Sequence, residues 1–180
     1  MPLTKKVVKT ALREATNENG FTIVYERNDV FNLIHNNDES RIISTRLVIS
    51  KDIDFDIHGS HNRNDLAGIG VFRFSLPTGT SKPDYFILAL ENKLTVKPEF
   101  IIIKYSELVD RLTRNRQLIN YKAELWLWLT SDRSVYDATN ISLEGEWFWI
   151  RKGFGGRMSD GTEWDYTRNL NDWKDMCDYF

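Results

Sequence analysis

Phe31-Asn32-Leu33-Ile34-His35, a polar turn, and Arg41-Ile42-Ile43-Ser44-Thr45-Arg46-Leu47-Val48 form two β-rich runs separated by Asn/Asp turn residues. Side chains alternate between the two faces of a strand, so Ser44 and Arg46 share one face. Upstream, Val7, Val8, Ala11, Leu12 and Ala15 recur at helical spacing, which predicts a helix over residues 4–16 with Thr4 as N-cap. Gly20 stops that helix, and Phe21 to Glu26 reads as the strand that enters the pair. Downstream, Val71 to Leu76, Asp84 to Leu90 and Phe100 to Lys104 are further strands, and Ser106 is placed to cap a helix carrying Leu108, Val109 and Leu112.

Between these elements, Asp52 to His58 alternates acidic and apolar residues, and Gly59 to Gly70 reads as a long polar loop. The polar stretch Asn115 to Lys122 is the one tenable boundary. Beyond it the character changes. Glu124 to Thr130 and Glu146 to Ile150 are aromatic strands, expected to pair as a hairpin with Trp126 and Trp128 opposing Trp147 and Trp149. A glycine loop follows from Gly153 to Gly156, and a short helix is expected near Leu170, Trp173 and Met176.

At 180 residues the chain is long enough for one domain with a substantial core. Its 41% apolar content and six Trp argue against disorder. A net charge of −2 provides no global basic field, so any nucleic-acid site must be a local patch. Cys177 is the single cysteine, which excludes an intramolecular disulfide and a cysteine-based zinc cluster. No apolar run approaches the ~18 residues of a membrane span, and a cytoplasmic location is expected.

The order and spacing of these strands resemble the PD-(D/E)XK nuclease superfamily, particularly its small restriction- and resolvase-like members, over roughly residues 5–114. In that family an Asp begins the first site strand, and Glu/Gln-x-Lys sits on the next. The corresponding positions here are Asn32, Ser44 and Arg46. The resemblance implies a mixed central sheet flanked by helices, and a site for a divalent ion, usually Mg²⁺. Hard cations need anionic oxygens, whereas this chain offers an amide, a hydroxyl and a permanently charged guanidinium. The expectation is therefore a site that kept its shape and lost its metal, with no cofactor.

Each other candidate has a plain structural alternative. Asp52, Asp54 and Asp56 alternate on one face about 6.6 Å apart; they suit a displaced Mg²⁺ site or a solvated strand face. Pro83-Asp84 with Glu91-Asn92-Lys93 spells the superfamily signature almost literally. Yet seven steps along one strand span roughly 23 Å, and odd parity points the two acids apart. Arg111, Arg114 and Arg116, with Arg151, Lys152 and Arg157, suit a nucleic-acid surface or ordinary solvated faces. The four Trp suit a stacking or protein-binding slab, or two-sided burial.

The fold class expected is α/β, as a single nuclease-like domain. Its core covers about residues 4–114, and a Trp-rich extension covers about 121–180. Three functions follow in order: an inactive nuclease-fold subunit binding nucleic acid, a partner protein or both in a DNA-processing or defence assembly; an active Mg²⁺-dependent endonuclease using relocated acids; and a pure protein-interaction or inhibitor module.

Overall fold

A computed structural model describes residues 3–51, 66–139 and 165–177. Helix α1 spans Lys5–Glu18, and the Thr4 hydroxyl accepts the Val7 N–H at its start. Its apolar stripe buries Val8 and Leu12. Gly20, at φ 80°, takes the left-handed turn that redirects the chain into strand β1, Phe21–Arg27. Strands β2, Val30–His35, and β3, Asp38–Ile49, complete an antiparallel meander.

The chain then leaves this sheet. Strand β4, Leu66–Ser75, belongs to a second sheet, and β5, Tyr85–Asn92, returns to pair parallel with β3. A hairpin leads into β6, Lys97–Lys104, and directly on to helix α2, Tyr105–Arg114. The short β7, Leu118–Ile119, the long β8, Lys122–Thr130, and β9, Val135–Asp137, rejoin β4. A last turn of helix, α3, covers Lys174–Cys177.

The result is α/β, with a mixed five-stranded sheet ordered β1-β2-β3-β5-β6 and a second sheet ordered β4-β8-β7, with β9 on β8. β5 is buried along its whole length, as its unbroken apolar run requires. On one side, Phe86, Leu88 and Leu90 meet Phe72, Leu125, Leu127 and Leu129 of the second sheet and Leu108 and Leu112 of α2. On the other, Ile87 and Ala89 meet α1, together with Trp173 and Met176 from the C-terminal segment. Where β4 crosses β5, a Cβ on Gly68 would stand 2.3 Å from the Glu91 carbonyl oxygen, so only glycine lets the backbones come this close.

Several expectations need correction. Residues 66–70 are strand and not loop, because two glycines there serve a crossing and not a turn. Ser106 does not cap α2, which starts at Tyr105 with no side-chain cap. Residues 115–122 are no boundary: Asn115 and Gln117 are buried and donate to the Asp137 carboxylate at 3.4 and 2.6 Å. The expected Trp hairpin has its second run, Glu146 to Ile150, outside the described residues, and β8 itself has both edges engaged. One edge of β8 pairs with β4, and the other is taken by β7, by β9 and by contacts of Glu124 and Trp126 with Gln117, Ala138 and Thr139. Residues 121–139 are thus built into the main core and do not form an appended extension; Trp147 and Trp149 lie outside the described residues.

Candidate functional site

Asn32 lies directly opposite Ser44 across the β2–β3 ladder, and Arg46 sits two pairs further along, opposite Val30. Their neighbours Phe31, Leu33, Ile43 and Leu47 are buried against the α1 side. Strand alternation therefore turns Asn32, Ser44 and Arg46 to the other face, shared with Phe86 on β5. The second sheet covers that face over β5 and β6 but leaves the β1–β3 part open: Ile42 is 59% exposed and Tyr25 46%.

A bulge in β1 completes the open face. The register shifts between Ile23 and Tyr25, so Tyr25 stands opposite Asn32 and Arg27 opposite Val30. Beyond the bulge, Glu26 turns to the helix side, where it accepts from Lys9 and Arg13 at 2.7 and 2.6 Å. The Lys9 hydrogen bond is the chief cause holding the Glu26 carboxyl below its usual range. The open face thus carries Tyr25, Arg27, Asn32, Ser44 and Arg46, with Ile34 and Ile42 at one end.

One carboxylate touches this group among the described residues. Asp84, just before β5, accepts the Ser44 N–H at 2.8 Å and donates its own N–H to the Ser44 carbonyl at 2.8 Å. Glu91 cannot join it, because β5 runs unbroken from Tyr85 to Asn92. Arg46 donates to the Ser75 carbonyl at 3.2 Å, tying β3 to the end of β4. Beside it a cleft of about 320 Å³ is lined by Lys5, Asp29, Arg46, Arg73 and Phe74. Lys5 pairs there with Asp29, and Arg73 forms a two-pronged bond to Glu124 at 2.8 and 3.2 Å. That bond, followed by one from the Trp126 indole, lowers the Glu124 carboxyl.

Among the described residues no three His, Cys, Asp or Glu side chains converge to hold a metal. Asp52, Asp54 and Asp56 lie outside the described residues, as do Arg151, Lys152 and Arg157.

Arg111 is misassigned as a nucleic-acid contact. It is 2% exposed, bonds Glu107 through Nε and Nη2 at 3.1 and 2.7 Å, and donates to the Asp165 carbonyl at 2.7 Å. Its guanidinium also lies 4.4 Å from the centroid of the Tyr166 ring. Burial pushes the Glu107 carboxyl up, but hydrogen bonds from Arg168 and Arg111 outweigh it and hold it below its usual range. Arg114 and Arg116 are exposed. Trp128 is 2% exposed and packs with Leu66, Ile69 and Ala138, so it is no stacking platform; Trp126 is half-buried beside it.

Sequence reasoning missed Tyr25 and Arg27, because strict alternation from Phe21 puts Tyr25 on the buried face, and only the bulge at Val24 reverses this. It also missed the buried Asp137, which accepts from Asn115, Gln117 and both the N–H and hydroxyl of Thr139. Compared with protein-family models, with curated proteins and with solved structures, the chain finds no match.

Proposed function

We propose that this chain is a catalytically silent nuclease-fold subunit that holds nucleic acid on the open face of β1–β3 without cutting it. The observation that carries the reading is the direct pairing of Asn32 with Ser44 on an uncovered sheet face, with Arg46 beside them. The three positions that the family resemblance singles out are neighbours in space, and their chemistry is neutral or cationic. An amide and a hydroxyl cannot replace the anionic oxygens that draw Mg²⁺ from its hydration shell. The same face suits polyanion binding: Tyr25 offers a ring for stacking, and Arg27 and Arg46 offer charge to phosphates. A role within a DNA-processing or defence assembly extends the resemblance one step further.

The test is fluorescence anisotropy with single- and double-stranded oligonucleotides over a salt series, run beside a plasmid-nicking assay with Mg²⁺ and Mn²⁺. Arg27→Glu and Arg46→Glu should each weaken binding and flatten the salt slope by about one unit, with no nicking by any form. Unchanged affinity and slope in both variants would remove the open face from consideration. Chelator-sensitive nicking by the wild type would replace a silent subunit with an active nuclease.

A further inference from the structure

The β7–β8 hairpin closes on two residues, since Ile119 pairs with Lys122 and only Asn120 and Tyr121 lie between. Both take left-handed backbone, at φ 49° and 62°, and Arg116 just before the hairpin does so at 56°. A two-residue turn of this hand is the ordinary home of Asn-Gly. Asn120 fits its place. Tyr121 stands where glycine belongs, and a bulky aromatic in that conformation is a steric outlier.

Buried packing of the ring would ordinarily compensate such strain. Tyr121 has little, being 64% exposed, and Ile119 on the other side of Asn120 is 70% exposed. The backbone beneath them is fixed: the Tyr121 carbonyl accepts from Leu76, the Gln117 carbonyl from Glu124, and Gln117 anchors to Asp137. A rigid support therefore holds out two large apolar side chains at a conformational cost. Strain kept in place by its surroundings is characteristic of binding and switch sites. Along the hairpin itself the charge has one sign, and the nearest acid in the adjoining cleft, Glu124, is already paired with Arg73. From Thr113 to Ala123 the chain holds Arg114, Arg116 and Lys122 and no acid, and all three cations are exposed. Below the tip a cleft of about 620 Å³, lined by Phe74, Gln117, Ile119, Lys122 and Glu124, extends the surface.

We infer that the Ile119–Tyr121 tip is a docking knob for an acidic protein segment, with an apolar pocket or side chains for Ile119 and Tyr121 and carboxylates for Arg116 and Lys122. A protein is favoured over a nucleic acid because Ile119 has nothing to offer a phosphate or a base edge, whereas Tyr and Arg, here Tyr121 and Arg116, are the residue types that carry most protein–protein binding energy. This surface lies on the second sheet and adjoins the Arg46 end of the open face at Arg73 and Phe74, but Ile119, Tyr121, Arg116 and Lys122 belong to the hairpin and not to β1–β3, so their variants test it separately.

The test pans random dodecapeptides displayed on phage against the full chain, then measures the enriched peptides in solution against variants. Enriched peptides should combine Asp or Glu with aromatic or aliphatic residues. Their binding should fall about tenfold or more with Ile119→Ser, Tyr121→Gly and Arg116→Glu. Tyr121→Gly should meanwhile unfold at the wild-type temperature or above, which separates lost docking from lost fold. Three outcomes overturn the inference: no acidic–apolar enrichment; peptides that bind every variant equally; or loss in these variants of oligothymidylate binding or self-association, with peptide binding intact.

Discussion

Asp84 and Ser44 are joined twice, by the Asp84 carboxylate accepting the Ser44 N–H and by the Asp84 N–H reaching the Ser44 carbonyl, each at 2.8 Å. The side chain thus extends the parallel β3–β5 ladder one residue beyond its first strand pair, Thr45 with Tyr85. Asp84→Ala should cost about 1 kcal/mol, the scale of one hydrogen bond at a partly solvated site. Asp84→Asn, which keeps an acceptor oxygen, should cost clearly less. Urea midpoints of the three proteins decide it, and equal losses for Ala and Asn would mean the acceptor is irrelevant.

The same carboxylate makes metal binding restorable. Asn32→Asp with Ser44→Glu would set two new acids directly across the ladder and next to Asp84. Without a cation these like charges should repel and lower the melting temperature. Mn²⁺ should then raise it and give a calorimetric binding signal, neither of which the wild type should show. An equal Mn²⁺ response from wild type would point to acids elsewhere in the chain.

Arg111 and Arg168 both donate to Glu107 at 2.7 Å but differ sharply in burial. Arg111→Ala should destabilise by about 3 kcal/mol, because it removes a buried guanidinium that bonds Glu107 and the Asp165 carbonyl and stacks on Tyr166. Arg168→Ala, at the surface, should cost about 1 kcal/mol or less. Thermal unfolding of the two variants checks the ordering. Oligonucleotide affinity measured on the folded fraction should not change with Arg111→Lys.

Burial is the main cause raising the Asp137 carboxyl above its ordinary value of 3.8, against hydrogen bonds from Thr139, Gln117 and Asn115 that pull it down. The folded state then binds the proton more tightly than the unfolded chain. The resulting stability is complete below the unfolded value and is lost as pH rises through the folded one. Wild-type stability should therefore decline as pH climbs from about 4, apart from other titrations. Asp137→Asn should remove that component. Melting temperature against pH for both proteins tests it, and parallel curves would rule the group out.

Much of the first sheet was legible because its strands obey simple alternation. The apolar sets of β2 and β3 identify their buried faces, and the Asn32–Ser44–Arg46 grouping follows from parity and adjacency alone. What was hidden depends on events that alternation cannot register. One extra residue at Val24 reversed Tyr25. Gly68 looked like a loop residue because the backbone it must approach, at Glu91, is distant in sequence. Arg111 looked like surface because its charge is neutralised by Glu107 on the preceding turn and its ring partner lies far along the chain. The pairing of β8 with β4 was hidden for a similar reason, because β4 is distant in sequence and its glycines look like loop residues.

That long-range pairing also sets an order of events in time. Leu66 meets Thr130 and Ser75 meets Lys122, so all of β5, β6 and α2 is threaded between the two strands. Closing so large a loop is entropically slow until the intervening hairpin and helix have formed and brought β8 near. The second sheet should accordingly dock late, after the β1–β3 meander and the β5–β6 hairpin. Truncating Leu125 should then speed unfolding far more than it slows refolding, while truncating Ile43 should slow refolding.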